Sequence, residues 1–85
     1  MASYKLLIKR SAAKELEGLP SKVRRQVVDR VAELGATPRP QGVEKLSGQE
    51  KYRIRQAAYR VLYSIDDAAQ TVTVIKIGHR RDVYR

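Results

Sequence analysis

The sequence predicts an α+β fold of the order β-α-α-β-β-β, two N-terminal helices packed on a small antiparallel sheet. Three observations carry this. A short stretch near the N-terminus alternates with period two. Apolar residues then recur at helical spacing as far as Leu34. Three strand-like stretches follow between Lys51 and Gly78. Two amphipathic helices have the right shape to cover one face of such a sheet. At 85 residues the chain is read as one domain, residues 1–85.

In "YKLLIKR" (4–10), Tyr4, Leu6 and Ile8 share one face of a strand, and Lys5, Leu7 and Lys9 the other. Ser11 is the expected N-cap of a short helix running to about Leu19. Pro20 suits the first turn of a second helix. Its stripe is Val23, Val27, Val28, Val31 and Leu34, with Gly35 as the stop. Arg24, Arg25 and Arg30 fall off that stripe and form a solvated face. "ATPRPQG" (36–42) reads as a loop, and "VEKLSGQE" (43–50) as irregular chain anchored by Leu46. "KYRIRQ" (51–56) sets Tyr52 and Ile54 against Lys51, Arg53 and Arg55. "YRVLYSI" (59–65) sets Tyr59, Val61, Tyr63 and Ile65 against Arg60, Leu62 and Ser64. "TVTVIKIG" (71–78) is rich in β-branched residues and is joined to the preceding strand through "DDAAQ".

Composition narrows the function classes. There is no Cys and one His, so neither a disulfide framework nor a Cys/His zinc site is expected, and no metal or cofactor. No apolar run approaches the roughly 20 residues of a membrane span, and "MASYKLLIKR" lacks the apolar region of a signal peptide. A soluble cytoplasmic protein with no membrane partner is the expectation. Eighteen Lys and Arg against nine Asp and Glu give a net charge of +9. A small basic domain of this kind points to a polyanion, most commonly nucleic acid.

The charges also have a place. Period two puts Arg53 and Arg55 on one face of a strand, about 6–7 Å apart. The next strand carries Arg60, and the last ends in "GHRRDVYR", with His79, Arg80, Arg81 and Tyr84. If these strands are neighbours, a set of arginines, a His and a Tyr converges. Arginine holds phosphate through a planar fork.

Two stretches carry a resemblance. "YRIRQAAYRVLYSIDD" (52–67) and "KIGHRRDVYR" (76–85), in this order near the end of a small basic chain, resemble the RelE/ParE superfamily of bacterial toxins, and specifically its RelE-type members. "YKLLIKRSAAKELEGLP" is similar to the family's opening strand and first helix, so the likeness spans nearly the whole chain. It implies a RelE-like fold and the toxin of a type II toxin–antitoxin pair. It implies an mRNA endonuclease that enters the ribosomal A site, where a 2′-hydroxyl attacks the adjacent phosphate without a metal, leaving a 2′,3′-cyclic phosphate and inhibiting translation. The implied partners are a cognate antitoxin, ribosomal RNA and mRNA, with DNA met only through the antitoxin. The family's functional positions fall on Arg53, Arg55, Arg60, Arg80 and Tyr84.

The chemistry of the residues fits, with one gap. Preorganised cations aimed at the phosphate oxygens suit the transition state. Arg60 and Arg80 are assigned that role, Arg53, Arg55 and Arg81 the binding of phosphates, and Tyr84 the orientation of a nucleotide. Arginine stays protonated and is a poor general base. Some relatives carry Lys at the positions of Arg53 and Arg55, so the chain departs from the family where a base would be carried over, and the identity of the base stays open. His79 is the natural alternative acid or base. Relatives often have Gly-Asp in place of Ala57-Ala58, which leaves either another turn type or a strained one. Two other readings compete: a ParE-type inhibitor of gyrase without nuclease activity, and a non-catalytic nucleic-acid-binding module.

Overall fold

The structure is a computed structural model and describes residues 3–46 and 50–79. Its elements are β1 (Lys5–Ile8), α1 (Arg10–Glu17), α2 (Ser21–Glu33), β2 (Glu44–Lys45), β3 (Lys51–Gln56), β4 (Tyr59–Asp66) and β5 (Thr71–His79). They form a five-stranded sheet in the order β1-β5-β4-β3-β2. The expected α+β order is present, with two additions. A two-residue strand, β2, occupies the stretch read as irregular and pairs with β3. The sheet is mixed, since β1 runs parallel to β5 while the other pairs are antiparallel. Alternation within a strand carries no information on the direction of its neighbour.

The helix starts differ from expectation. The N-cap of α1 is Lys9 rather than Ser11, and no side chain caps it. Instead the Lys9 N–H donates to the Val74 carbonyl (2.9 Å), so the sheet itself fixes where the helix begins. Pro20 is the N-cap of α2, one residue ahead of the first turn. At the far end Gly35 is buried, and a Cβ there would lie 3.3 Å from the Tyr4 carbonyl oxygen. That close approach lets the Tyr4 N–H donate to the Gly35 carbonyl (2.7 Å) and docks the end of α2 against the start of β1.

The core lies between the helices and one face of the sheet. Tyr52, Ile54, Val61, Tyr63, Ile65, Val72, Val74 and Ile77 meet Ala12, Val27 and Leu34. Tyr52 and Tyr63 are register partners across β3 and β4, and their rings stack at 5.8 Å. The Tyr63 hydroxyl donates to the Pro38 carbonyl (2.7 Å), and Arg39 Nε donates to the Tyr52 hydroxyl (3.0 Å). Arg39 also grips Asp67 at 2.9 and 3.2 Å, and the Tyr4 hydroxyl donates to the same carboxylate (2.7 Å). This network fastens the Pro-rich loop to one end of the sheet, and β2 emerges from that loop.

A β-bulge sets the faces of β5. Leu62 pairs with Lys76 but Tyr63 pairs with Val74, leaving Ile75 as the extra residue. Without it Val74 and Ile77 would point to opposite faces. With it both are buried, and Gly78 comes to lie opposite Arg60.

Not every apolar residue is used inside. Leu6, Leu7 and Ile8 of β1 are exposed, and so is Val28 of the helical stripe. β1 is an edge strand, and its side chains border an open apolar groove with Leu16, Val31 and Ala32. Among the described residues no helix is long and apolar enough to cross a membrane.

Candidate phosphate-handling face

Strand alternation builds this site. Tyr52, Ile54, Val61 and Tyr63 turn to the core, so Arg53, Arg55 and Arg60 turn to the other face of the sheet. The register arranges that face in two rows. One row runs Glu44, Arg53, Leu62 and Lys76 across β2, β3, β4 and β5. The next runs Arg55, Arg60 and Gly78, and Gly78 brings no side chain over Arg60.

The environments of the arginines differ. Arg60 is almost fully buried at 9% exposure, the one charged residue in the buried set among the described residues, and Arg55 beside it is exposed. Like charges directly opposite on a sheet are unfavourable, and a carboxylate offsets them. Glu44 Oε2 pairs with Arg53 Nη2, and Glu44 Oε1 lies 3.8 Å from Arg55 Nε. The hydrogen bond from Arg53, with the charges of Arg53, Arg55 and Arg60, holds the Glu44 carboxyl below the usual carboxylate range. Sequence reasoning missed Glu44. Two residues of β2 are too few to show a period, and only the pairing with β3 reveals where the carboxylate goes.

His79 is placed differently. It pairs with Tyr59, and the two rings meet edge to face at 5.7 Å. By alternation this contact lies on the opposite face from Arg60, at the same end of the ladder. The structure therefore brings Arg53, Arg55 and Arg60 together and leaves His79 at the rim. Arg80, Arg81 and Tyr84 lie outside the described residues. The β5 edge beyond β1 is covered by α1, whose Glu15 accepts the Ile77 N–H (3.1 Å) and pairs with Lys76 (3.9 Å). Among the described residues no three His, Asp or Glu side chains gather into a metal-binding group.

The hairpin below the arginines is tight. Gln56 and Tyr59 are register partners, so Ala57-Ala58 is a two-residue loop. Ala57 has φ 55°. A positive φ at only the first central residue is the pattern of a type II′ turn, which favours glycine there. Of the two alternatives for this turn, the structure shows the strained one.

Comparison with known proteins gives a consistent result. Residues 6–84 match the family model of the ParE toxin of the type II toxin–antitoxin system parDE. The chain is 31% identical to Toxin RelG of Mycobacterium tuberculosis, covering 96% of this chain and 97% of that protein. It superposes on the isolated RelE toxin of E. coli with a TM-score of 0.82 at 30% identity, covering 96% and 92% of the two chains. An archaeal RelE–RelB complex from Pyrococcus horikoshii matches with a TM-score of 0.84 at 28% identity, over 95% and 99%.

Proposed function

We propose that this chain, which belongs to the RelE/ParE superfamily and is the toxin of a type II toxin–antitoxin system, is an endonuclease that cuts mRNA in the ribosomal A site. The observation that carries the reading is the Arg55–Arg60 pair, with Arg60 buried and Arg53 in the adjoining row. A buried guanidinium is held in place before substrate arrives. That preorganisation is what stabilises charge developing on a phosphate.

In the reaction the 2′-oxygen forms a bond to the adjacent phosphorus as the bond to the 5′-oxygen breaks. One proton leaves the 2′-hydroxyl and one reaches the 5′-oxygen, giving a 2′,3′-cyclic phosphate and a free 5′-hydroxyl. Arg60 and Arg80 neutralise the equatorial oxygens, Arg53, Arg55 and Arg81 hold phosphates, and Tyr84 orients a nucleotide. His79 is the proposed proton carrier. Its position across the sheet from Arg60 makes the pH–rate profile of His79→Gln the critical measurement, and an unchanged profile removes it from the mechanism.

The partner we propose is a cognate antitoxin, which would keep the toxin silent in the cytoplasm and make any contact with DNA. The archaeal relative is seen in complex with RelB. The groove of Leu6, Leu7, Ile8 and Val28 and the outer edge of β1, which no strand of the described residues pairs, suit an apolar segment that adds a strand. The basic surface favours an acidic one.

Ribosomes stalled with an empty A site on a labelled mRNA test the activity. Wild type should cut within the A-site codon by primer extension, and Arg80→Ala should not. The match to a ParE family model supports a second reading, inhibition of gyrase. Supercoiling assays separate the two.

A further inference from the structure

We infer that Glu44 is a positioning residue of the RNA site, a resident anion that occupies the arginine forks and that an incoming phosphate must displace. The inference rests on the arginine face binding RNA. Three features of the geometry lead to it. Glu44 stands directly opposite Arg53 in the ladder, on the arginine face. Its two carboxylate oxygens are divided between Arg53 and Arg55. This is the arrangement in which a phosphate would present two oxygens to the same forks. Finally, β2 is only two residues long and lies at the edge of the sheet, so the carboxylate has solvent to move into. Its side chain is 44% exposed while that of Arg53 is 14% exposed, so the anion is the member of the pair more open to solvent.

The consequence is a division of labour along the face. Arg53 is neutralised in the free protein and Arg55 is touched only at 3.8 Å. A phosphate therefore meets Arg55 first and reaches Arg53 by exchange with Glu44. Exchange removes the arginines that stabilise the ionised carboxylate and places a negative group beside it. Glu44 then holds its proton to higher pH in the complex than in the free protein. The charged groups facing it are Arg53 and Arg55 from β3 and Arg60 from β4.

The test is binding of a fluorescent 2′-O-methyl oligouridine, which has no free 2′-hydroxyl to react and whose bases do not protonate in acid. Wild type, Glu44→Gln and Glu44→Asp are compared at low salt, with folding checked by circular dichroism. Removing a like charge about 4 Å from the phosphate should tighten binding by Glu44→Gln about five- to tenfold. Glu44→Asp keeps the charge and should bind within about twofold of wild type on the same grounds. Wild-type affinity should also rise as pH falls from 6 toward about 4, the carboxylate range, more steeply than in Glu44→Gln. Equal affinities and parallel pH profiles overturn the role of Glu44 alone, as does weaker binding by Glu44→Gln. Absence of salt-dependent binding by every variant overturns the RNA reading of the face as well.

Discussion

Ala57 holds a φ of 55° with a β-carbon that the left-handed region penalises by about 1–2 kcal/mol. Ala57→Gly should therefore raise stability by about 0.5–1 kcal/mol, after the extra freedom that glycine gives the unfolded chain is subtracted. Urea denaturation measures it. Two other residues contribute to the pH dependence of the fold. Burial pushes the Tyr63 hydroxyl up to about 12. A group whose pKa is raised on folding contributes fully below its unfolded value near 10 and loses that contribution as pH rises to the folded value. Tyr63→Phe should flatten the alkaline fall in stability, and removal of its bond to Pro38 should cost about 1 kcal/mol at neutral pH. Asp67 is the opposite case, held low by hydrogen bonds from Arg39 and Tyr4. Its contribution is present above the unfolded value near 3.9 and disappears as pH falls through the lower folded value. Asp67→Asn should lower the melting temperature at pH 7 and match wild type in strong acid. Arg53, Arg55 and Arg60 were legible in the sequence because period two assigns a strand residue to a face. The partner of those arginines was not, because ion pairs follow strand register.

At the scale of elements, the sequence showed both helices and the strands that became β1, β3, β4 and β5. It failed where an element depends on its neighbours. β2 exists because β3 offers an edge to Glu44 and Lys45. The bulge at Ile75 exists because Val74 and Ile77 both fill the core, a requirement invisible in a run of β-branched residues. β1 shows the same limit. Alternation put Leu6 and Ile8 on one face without saying what covers it, and an edge strand beside α1 and α2 leaves them open. That opening makes a prediction for the proposed antitoxin. Val28→Asp places a charge in the groove without touching the buried set. It should weaken antitoxin binding by about tenfold or more, through the cost of burying an unpaired charge, and leave the melting temperature close to wild type. Titration calorimetry with the cognate antitoxin reads the first, and a thermal melt the second.

Over the whole molecule, charge and fold divide the tasks. The helices and the apolar side of the sheet make one body, and a net charge of +9 on 85 residues gives it attraction for a polyanion. The opposite side of the sheet concentrates part of that charge where β3 and β4 pair. Family membership and fold follow from the comparisons, but this superfamily holds both RelE-type and ParE-type proteins on one architecture, and fold does not choose between activities. The choice rests on the arginine face. Its most direct test is the single-turnover rate of mRNA cleavage in ribosomes with an empty A site, wild type against Arg60→Ala, with folding verified by circular dichroism. Loss of a preorganised cation should slow cleavage by about 10²–10³-fold. A folded Arg60→Ala protein that cuts at the wild-type rate would contradict the assignment of this face to the chemistry. A wild-type protein that leaves mRNA intact and inhibits gyrase would place the chain with the ParE-type toxins.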